Sequence, residues 1–240
     1  MIFSILLSVS GGVSSISLTY SSTDAPYKSS AVVKYDSNPL FSAIILAPGY
    51  VLTVDKFDPG DYDIADTLRV TTNMSSTAFG RRDYDVEDIL HSDENLSNFV
   101  LLSLRDPIVY GNGVGPARIN PRDEVATTGN AILVCWTGSS IYDIKQVSTK
   151  FRILSTEDCK LRREEELIPD DYICLELPHT SIVPKCAAGS FGGGVFVGGY
   201  LVAIVDTIPL GGYKHNEVAF FPKISAADKY WIRQKIGLIN

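Results

Sequence analysis

"CAAGSFGGGVFVGGYLVAIV" (Cys186–Val205) changes character halfway along. Its first part is a loop of small residues with one serine, Ser190, followed by Phe191 and three glycines. Its second part, "GVFVGGYLVAIV", is apolar and reads as strand. Glycines permit a tight backbone that residues bearing a Cβ resist. The stretch is therefore either the seat of a nucleophilic serine or only a tight turn.

The strand reading extends over the chain. "SAVVKY", "SAIILA", "YVLTV", "TLRVTT", "FVLLSL", "AILVCWT", "VSTKFRIL", "DYICLEL" and "EVAFFPKI" are rich in Val, Ile, Leu, Tyr and Phe and are bounded by Gly, Pro, Asn or Asp. Helical crossovers between them are missing, which predicts antiparallel all-β structure, a sandwich or barrels. Two segments break the pattern. "STEDCKLRREEE" begins with Ser155 and has Asp158 three residues on, a capping-box spacing that starts a helix. "SAADKYWIRQKIGLI" repeats it with Ser225 and Asp228. Tyr230, Ile232, Ile236 and Ile239 are expected on one face of that C-terminal helix, packed on the β core.

Composition narrows the function classes. The 240 residues suffice for one large domain or two small ones, and 45% hydrophobic with 20% charged residues suits a sizeable core. A net charge of −7 without a long basic run argues against nucleic acid or an anionic membrane as partner. The four cysteines, Cys135, Cys159, Cys174 and Cys186, form no C-x-x-C pair, so the spacing supports no metal site and is compatible with one or two disulfides. No cofactor motif stands out. The N-terminal "MIFSILLSVSGGVSS" (1–15) has an apolar run too short to span a bilayer. It reads as a secretory signal without a basic n-region, or as a buried N-terminal strand. Sequons at Asn73 and Asn95 mark glycosylation positions in a secreted chain.

The order of the segments resembles the trypsin-like serine proteases of the chymotrypsin fold. "FSAIILAPGYVLTVDKF" (41–57) looks like the segment that carries that family's histidine, and "NLSNFVLLSLRDPI" (95–108) like the one that carries its aspartate. "AILVCWTG", "DYICLEL", the opening stretch and "KYWIRQKI" follow in family order, and "PYKSSAVV" sits where the family begins its first barrel. The resemblance runs from about Ile16 to Asn240. It implies two six-stranded antiparallel β-barrels meeting near 112–125, a cleft between them, and a C-terminal α-helix.

The chemistry departs from the family. Its mechanism needs a serine nucleophile, a histidine to take the proton, and an aspartate to orient the histidine. At the histidine position this chain has Lys56, and at the aspartate position Asn98. A lysine ammonium has no free lone pair, and an amide cannot stabilise an imidazolium. Counting from Cys186 puts Ser190 at the nucleophile; counting back from "AIV" puts Phe191 there. His91, His179 and His215 are the remaining histidines, and a Ser190–Lys56 dyad is the other conceivable base arrangement. No basic residue precedes Ile16 for activating cleavage. In the implied specificity pocket, Pro184 or Lys185 replaces the basal aspartate and Ile208 a wall glycine. The resemblance also implies a Cys159–Cys174 disulfide and leaves Cys135 and Cys186 without their usual partners, as buried thiols or an unusual pair.

The expected protein is a secreted, catalytically inactive serine protease homologue that acts by binding a protein. Tyrosines in "DYDIADT" and "RRDYDVED" are candidates for an interface. Loss of all three triad residues resembles the inactivated protease paralogues of the scabies mite, related to the mite protease allergens. That likeness implies host defence proteins such as complement as partners. The alternatives are an active serine endopeptidase with a non-standard site using Ser190, and a structural or storage protein.

Overall fold

A computed structural model describes residues 25–36, 38–56, 62–73, 80–92, 98–111, 113–137, 144–162, 170–179, 191–207 and 214–237. Residues 1–15 and Ile16 lie outside them.

The first half builds strands β1 (Ser30–Tyr35), β2 (Asn38–Ala47), β3 (Tyr50–Val54), β4 (Leu68–Thr72), β5 (Arg82–His91) and β6 (Phe99–Leu104). They close into a barrel in the order β1-β2-β3-β6-β5-β4, every pair antiparallel. Successive side chains in a strand point to opposite faces, and here both faces are covered. Ala43 and Ile45 of β2 face the barrel interior with Val51, Val100 and Leu102. Their neighbours Ile44 and Leu46 join Leu52, Phe99 and Leu101 in a second cluster, with Phe196, Leu201, Ile204, Trp231 and Ile232 of the other half. That double burial is why "SAIILA" and "FVLLSL" read as continuous apolar runs rather than as alternation.

The second half contributes β7 (Arg118–Ile119), β8 (Gly129–Thr137), β9 (Lys145–Leu154), β10 (Tyr172–Glu176), β11 (Gly194–Val197), β12 (Tyr200–Ile204) and β13 (Val218–Pro222). The seven-stranded order is β13-β10-β9-β8-β11-β12-β7. A single bridge, Ala203↔Lys223, and the bond from the Ile224 N–H to the Val202 carbonyl (2.9 Å) bring β12 back to the end of β13. β7 is an added two-residue strand, parallel to β12. The expected all-β, chymotrypsin-like architecture is therefore present, with a small seventh strand that is too short to show in a sequence pattern.

β5 is a long strand with no apolar run in its sequence. Its buried positions, Tyr84 and Val86, alternate with charges. Those charges pair with other strands: Lys34 Nζ of β1 lies 2.8 Å from Asp83 Oδ1, and Arg69 Nε of β4 3.0 Å from Asp85 Oδ1. Tyr84, expected as an exposed interface residue, is instead 8% exposed, and its hydroxyl accepts the Val109 N–H at 3.2 Å. The other candidate, Tyr62, opens a 3-10 helix (Tyr62–Thr67), and its side chain lies outside the described residues.

Three helices accompany the strands: α1 (Ala25–Lys28), α2 (Thr156–Arg162) and α3 (Ala226–Lys235). Ser225 and Asp228 form a complete capping box on α3, and the Ser155 hydroxyl accepts the Asp158 N–H at 3.0 Å in α2. The expected apolar face of α3 is corrected. Tyr230 is 64% exposed, and Trp231 and Ile232 are buried. Residues two apart on a helix do not share a face, so Tyr230 and Ile232 could not both point inward. Ile239 lies outside the described residues. The Cys159–Cys174 disulfide ties α2 to β10. Cys135 is also disulfide-bonded, with a partner outside the described residues, so it is not the buried thiol that was one expectation.

Candidate functional site

The loop before β11 is stitched to both halves of the molecule. The Ser42 N–H donates to the Phe191 carbonyl (2.7 Å), and the Gly192 N–H donates to the Val205 carbonyl (2.7 Å). Thr53 Oγ1 donates to the Ser42 carbonyl at 2.8 Å, and Ser42 Oγ accepts the Trp136 N–H at 3.0 Å. On the other side, the ends of β3 and β6 are pinned where the Asp55 N–H donates to the Asn98 carbonyl at 2.9 Å. Lys56 follows directly.

These constraints bring Lys56 and Phe191 together. Lys56 Nζ stands 5.9 Å from the centroid of the Phe191 ring, within reach of a cation–π contact. Phe191 is half-buried and packs on the cluster shared by the two halves. Asn98 sits at the entry to β6, one residue before the buried Phe99. Ser190, Cys186, Pro184, Lys185, Ile208 and Asn95 lie outside the described residues. Asn73 holds a left-handed backbone (φ 56), and its side-chain amide donates to the Gly80 carbonyl at 2.9 Å, so a glycan there would replace a hydrogen on a nitrogen already engaged in a turn.

Two features of the site were not anticipated. Asp206 follows β12, where the apolar run "LVAIV" ends. Burial pushes its carboxyl above the usual carboxylate range, and the Thr207 hydroxyl and the charge of Lys56 offset only part of that. An isolated acid closing an apolar strand was the available signal. The second feature is a hydrogen bond between His91 Nδ1 and Asp55 Oδ2 at 2.8 Å, which joins the end of β5 to the residue before Lys56. Among the described residues it is the one histidine–carboxylate pair. His179 and His215 lie apart from it, their rings stacked at 5.4 Å, with His215 Nδ1 bonded to the Pro178 carbonyl (3.0 Å).

Asp206 carries a testable consequence. A carboxyl with a raised folded-state pKa binds its proton more tightly folded than unfolded. It therefore lowers stability as pH rises from the unfolded value, about 3.9, through the folded one. Asp206→Asn is expected to melt higher than the parent protein at pH 7 and to lose that advantage at acid pH, below both values. An equal Tm at both ends of a pH series would count against a desolvated carboxylate at this place.

No protein-family model matches the chain, and no curated protein matches it. Among solved structures the chain is similar to "Kallikrein-related peptidase 10 complex with Zn2+", with 14% identity, a TM-score of 0.67, and coverage of 90% of this chain and 98% of that one. At that identity the likeness establishes the fold, which is the chymotrypsin-like one.

Proposed function

We propose that the chain is a serine protease homologue that no longer cleaves peptide bonds and works by binding a protein. The observation that carries this reading is the Lys56–Phe191 contact. A trypsin-like enzyme needs a proton acceptor beside a nucleophilic hydroxyl. Here a cation lies over an aromatic ring, and neither group can take a proton from a hydroxyl or add to a carbonyl. The contact supports Phe191, rather than Ser190, as the residue in the nucleophile's place. Asn98 supplies no charge to orient a base. A fold that has lost its chemistry keeps its surfaces, and binding is what those can still do. The Cys159–Cys174 disulfide favours an oxidising compartment and so supports secretion. A host defence protein such as complement is the partner suggested by the mite-type pattern of triad loss.

The test is chemical first. The folded protein is expected to show no fluorophosphonate labelling and no cleavage across a peptide panel, with kcat/KM lower than that of a working trypsin-like enzyme by about 10⁴-fold or more. Ser190→Ala is expected to leave partner binding unchanged. Labelling that disappears in Ser190→Ala would establish an enzyme instead. Binding is tested separately against purified complement components, and no saturable partner at micromolar concentration would sink the binding reading.

One observation favours the second reading, an active endopeptidase using Ser190. The His91–Asp55 pair is the kind of carboxylate-oriented imidazole that activates a hydroxyl. On that reading His91→Ala abolishes labelling as completely as Ser190→Ala does.

A further inference from the structure

A pocket of about 460 Å³ opens where α1, β7 and the β11–β12 turn meet. It is separate from the cluster around Lys56. Tyr200 lines the pocket at the start of β12, and Asp206 lies beyond the other end of that strand, roughly 20 Å away at the rise of extended chain.

Its chemistry is one-sided. Lys28 and Arg118 both line it, and among the described residues no carboxylate does. Of the described cations, Lys34, Arg69, Arg105, Arg152, Lys160, Arg162 and Lys229 have a carboxylate partner, and others on the surface do not. Among the described residues, the head groups of Lys28 and Arg118 have none. The walls are Pro116 and Tyr200, the latter 38% exposed. Gly198 and Gly199 form the turn at the mouth with φ of 58° and 83°, and a Cβ on either would meet nothing within 4 Å. Left-handed backbone at both positions is what a two-residue hairpin of this hand requires. Gly198 and Gly199 themselves therefore put no side chain over the mouth.

We infer that this pocket is a binding site for an aryl-linked oxyanion, a phosphate or sulfate ester carried on an aromatic ring. Arg118 and Lys28 hold the oxyanion. A guanidinium presents a planar fork of donors to tetrahedral oxygens, and an ammonium adds a point charge. The ring lies against Tyr200 and Pro116. The volume is in the range of small-molecule sites and larger than a bare inorganic anion needs. A modified tyrosine side chain of a peptide carries both parts. The inference is independent of whether the Lys56 region is catalytic, since the two sites share no residue.

The experiment titrates the full chain, by calorimetry or NMR, with N-acetyl-phosphotyrosine amide, N-acetyl-sulfotyrosine amide, N-acetyl-tyrosine amide and inorganic phosphate. At least one of the two esters is expected to bind saturably, and the tighter one identifies the source. Binding weakens as salt is raised. Arg118→Ala weakens it by roughly tenfold or more, the scale of a lost charged hydrogen bond, and Lys28→Ala also weakens it. Arg118→Glu abolishes it. Arg118 is on the surface, and unchanged melting of its variants confirms that they fold. The inference is overturned by equal affinity for the unmodified amide or for inorganic phosphate, by variants that bind like the parent, or by no saturation at millimolar ester.

Discussion

Among the described glycines, Gly192→Ala is expected to be the most damaging added methyl. Gly192 has φ +83°, where an L-residue costs about 1–2 kcal/mol. A Cβ there would stand 2.0 Å from the Ser42 carbonyl oxygen and 2.2 Å from Thr53 Oγ1. Neither can step aside cheaply. The Ser42 carbonyl is held by the Thr53 hydroxyl, and its backbone N–H is bonded to Phe191. Gly192 itself is tied to Val205. Relief would break bonds that join the two halves of the fold. Overpacking of this sort adds about 1–3 kcal/mol. The sum, roughly 2–5 kcal/mol, is a large share of a typical domain stability of about 5–15 kcal/mol. Gly194→Ala should cost less, because its Cβ would meet the ends of the Phe196, Ile44 and Leu201 side chains. Gly199→Ala should cost less again, since only its backbone angle resists. Urea denaturation of the three variants gives the ranking. A Gly192→Ala protein as stable as Gly199→Ala would show that the loop before β11 is not the rigid joint described above.

The second large effect is expected from removing both arginines around Glu176. Its side chain is 5% exposed, and it pairs with Arg152 and with Arg162. Arg152 is its direct cross-strand partner in β9, and Arg162 comes from the last turn of α2. Arg152→Ala/Arg162→Ala leaves a buried carboxylate with neither cation, a situation that costs about 3–5 kcal/mol. The single variants should cost less than half of that each, because the remaining guanidinium, itself part-exposed, can still serve the carboxylate. Adding Glu176→Gln to the double variant should restore much of the loss, because the stranded charge is then gone. A double variant within about 1 kcal/mol of the parent by denaturant titration would mean that water already solvates Glu176.

The positions of these joints explain what could be read in advance. "SAIILA" and "FVLLSL" announce buried strands because both of their faces meet apolar neighbours. Local composition was misleading where charges pair between strands. β5 looked polar because its acids answer Arg69 from the neighbouring strand β4 and Lys34 from the distant β1. Tyr84 looked exposed between those acids, yet points inward with Val86. In α3 the capping box was legible because it is local, whereas Trp231 took the core position because helix geometry excludes Tyr230 from the face of Ile232.

The site divides in the same way. Lys56, Asn98 and the glycine-rich loop could be named from the order of segments alone. Their meeting could not. Whether a cation stands over an aromatic ring depends on the Ser42–Phe191 and Gly192–Val205 bonds, which draw in chain from three distant segments. The desolvation of Asp206 and the pairing of His91 with Asp55 escaped for the same reason, since both are properties of what surrounds a group. The sequence by itself determined most of the strands, the all-β class and the helix caps, because these follow from neighbours along the chain. Tertiary structure alone decided which charges are buried, which are paired, and which, at Lys28 and Arg118, are left facing an open pocket, because electrostatic environment is set by packing in space.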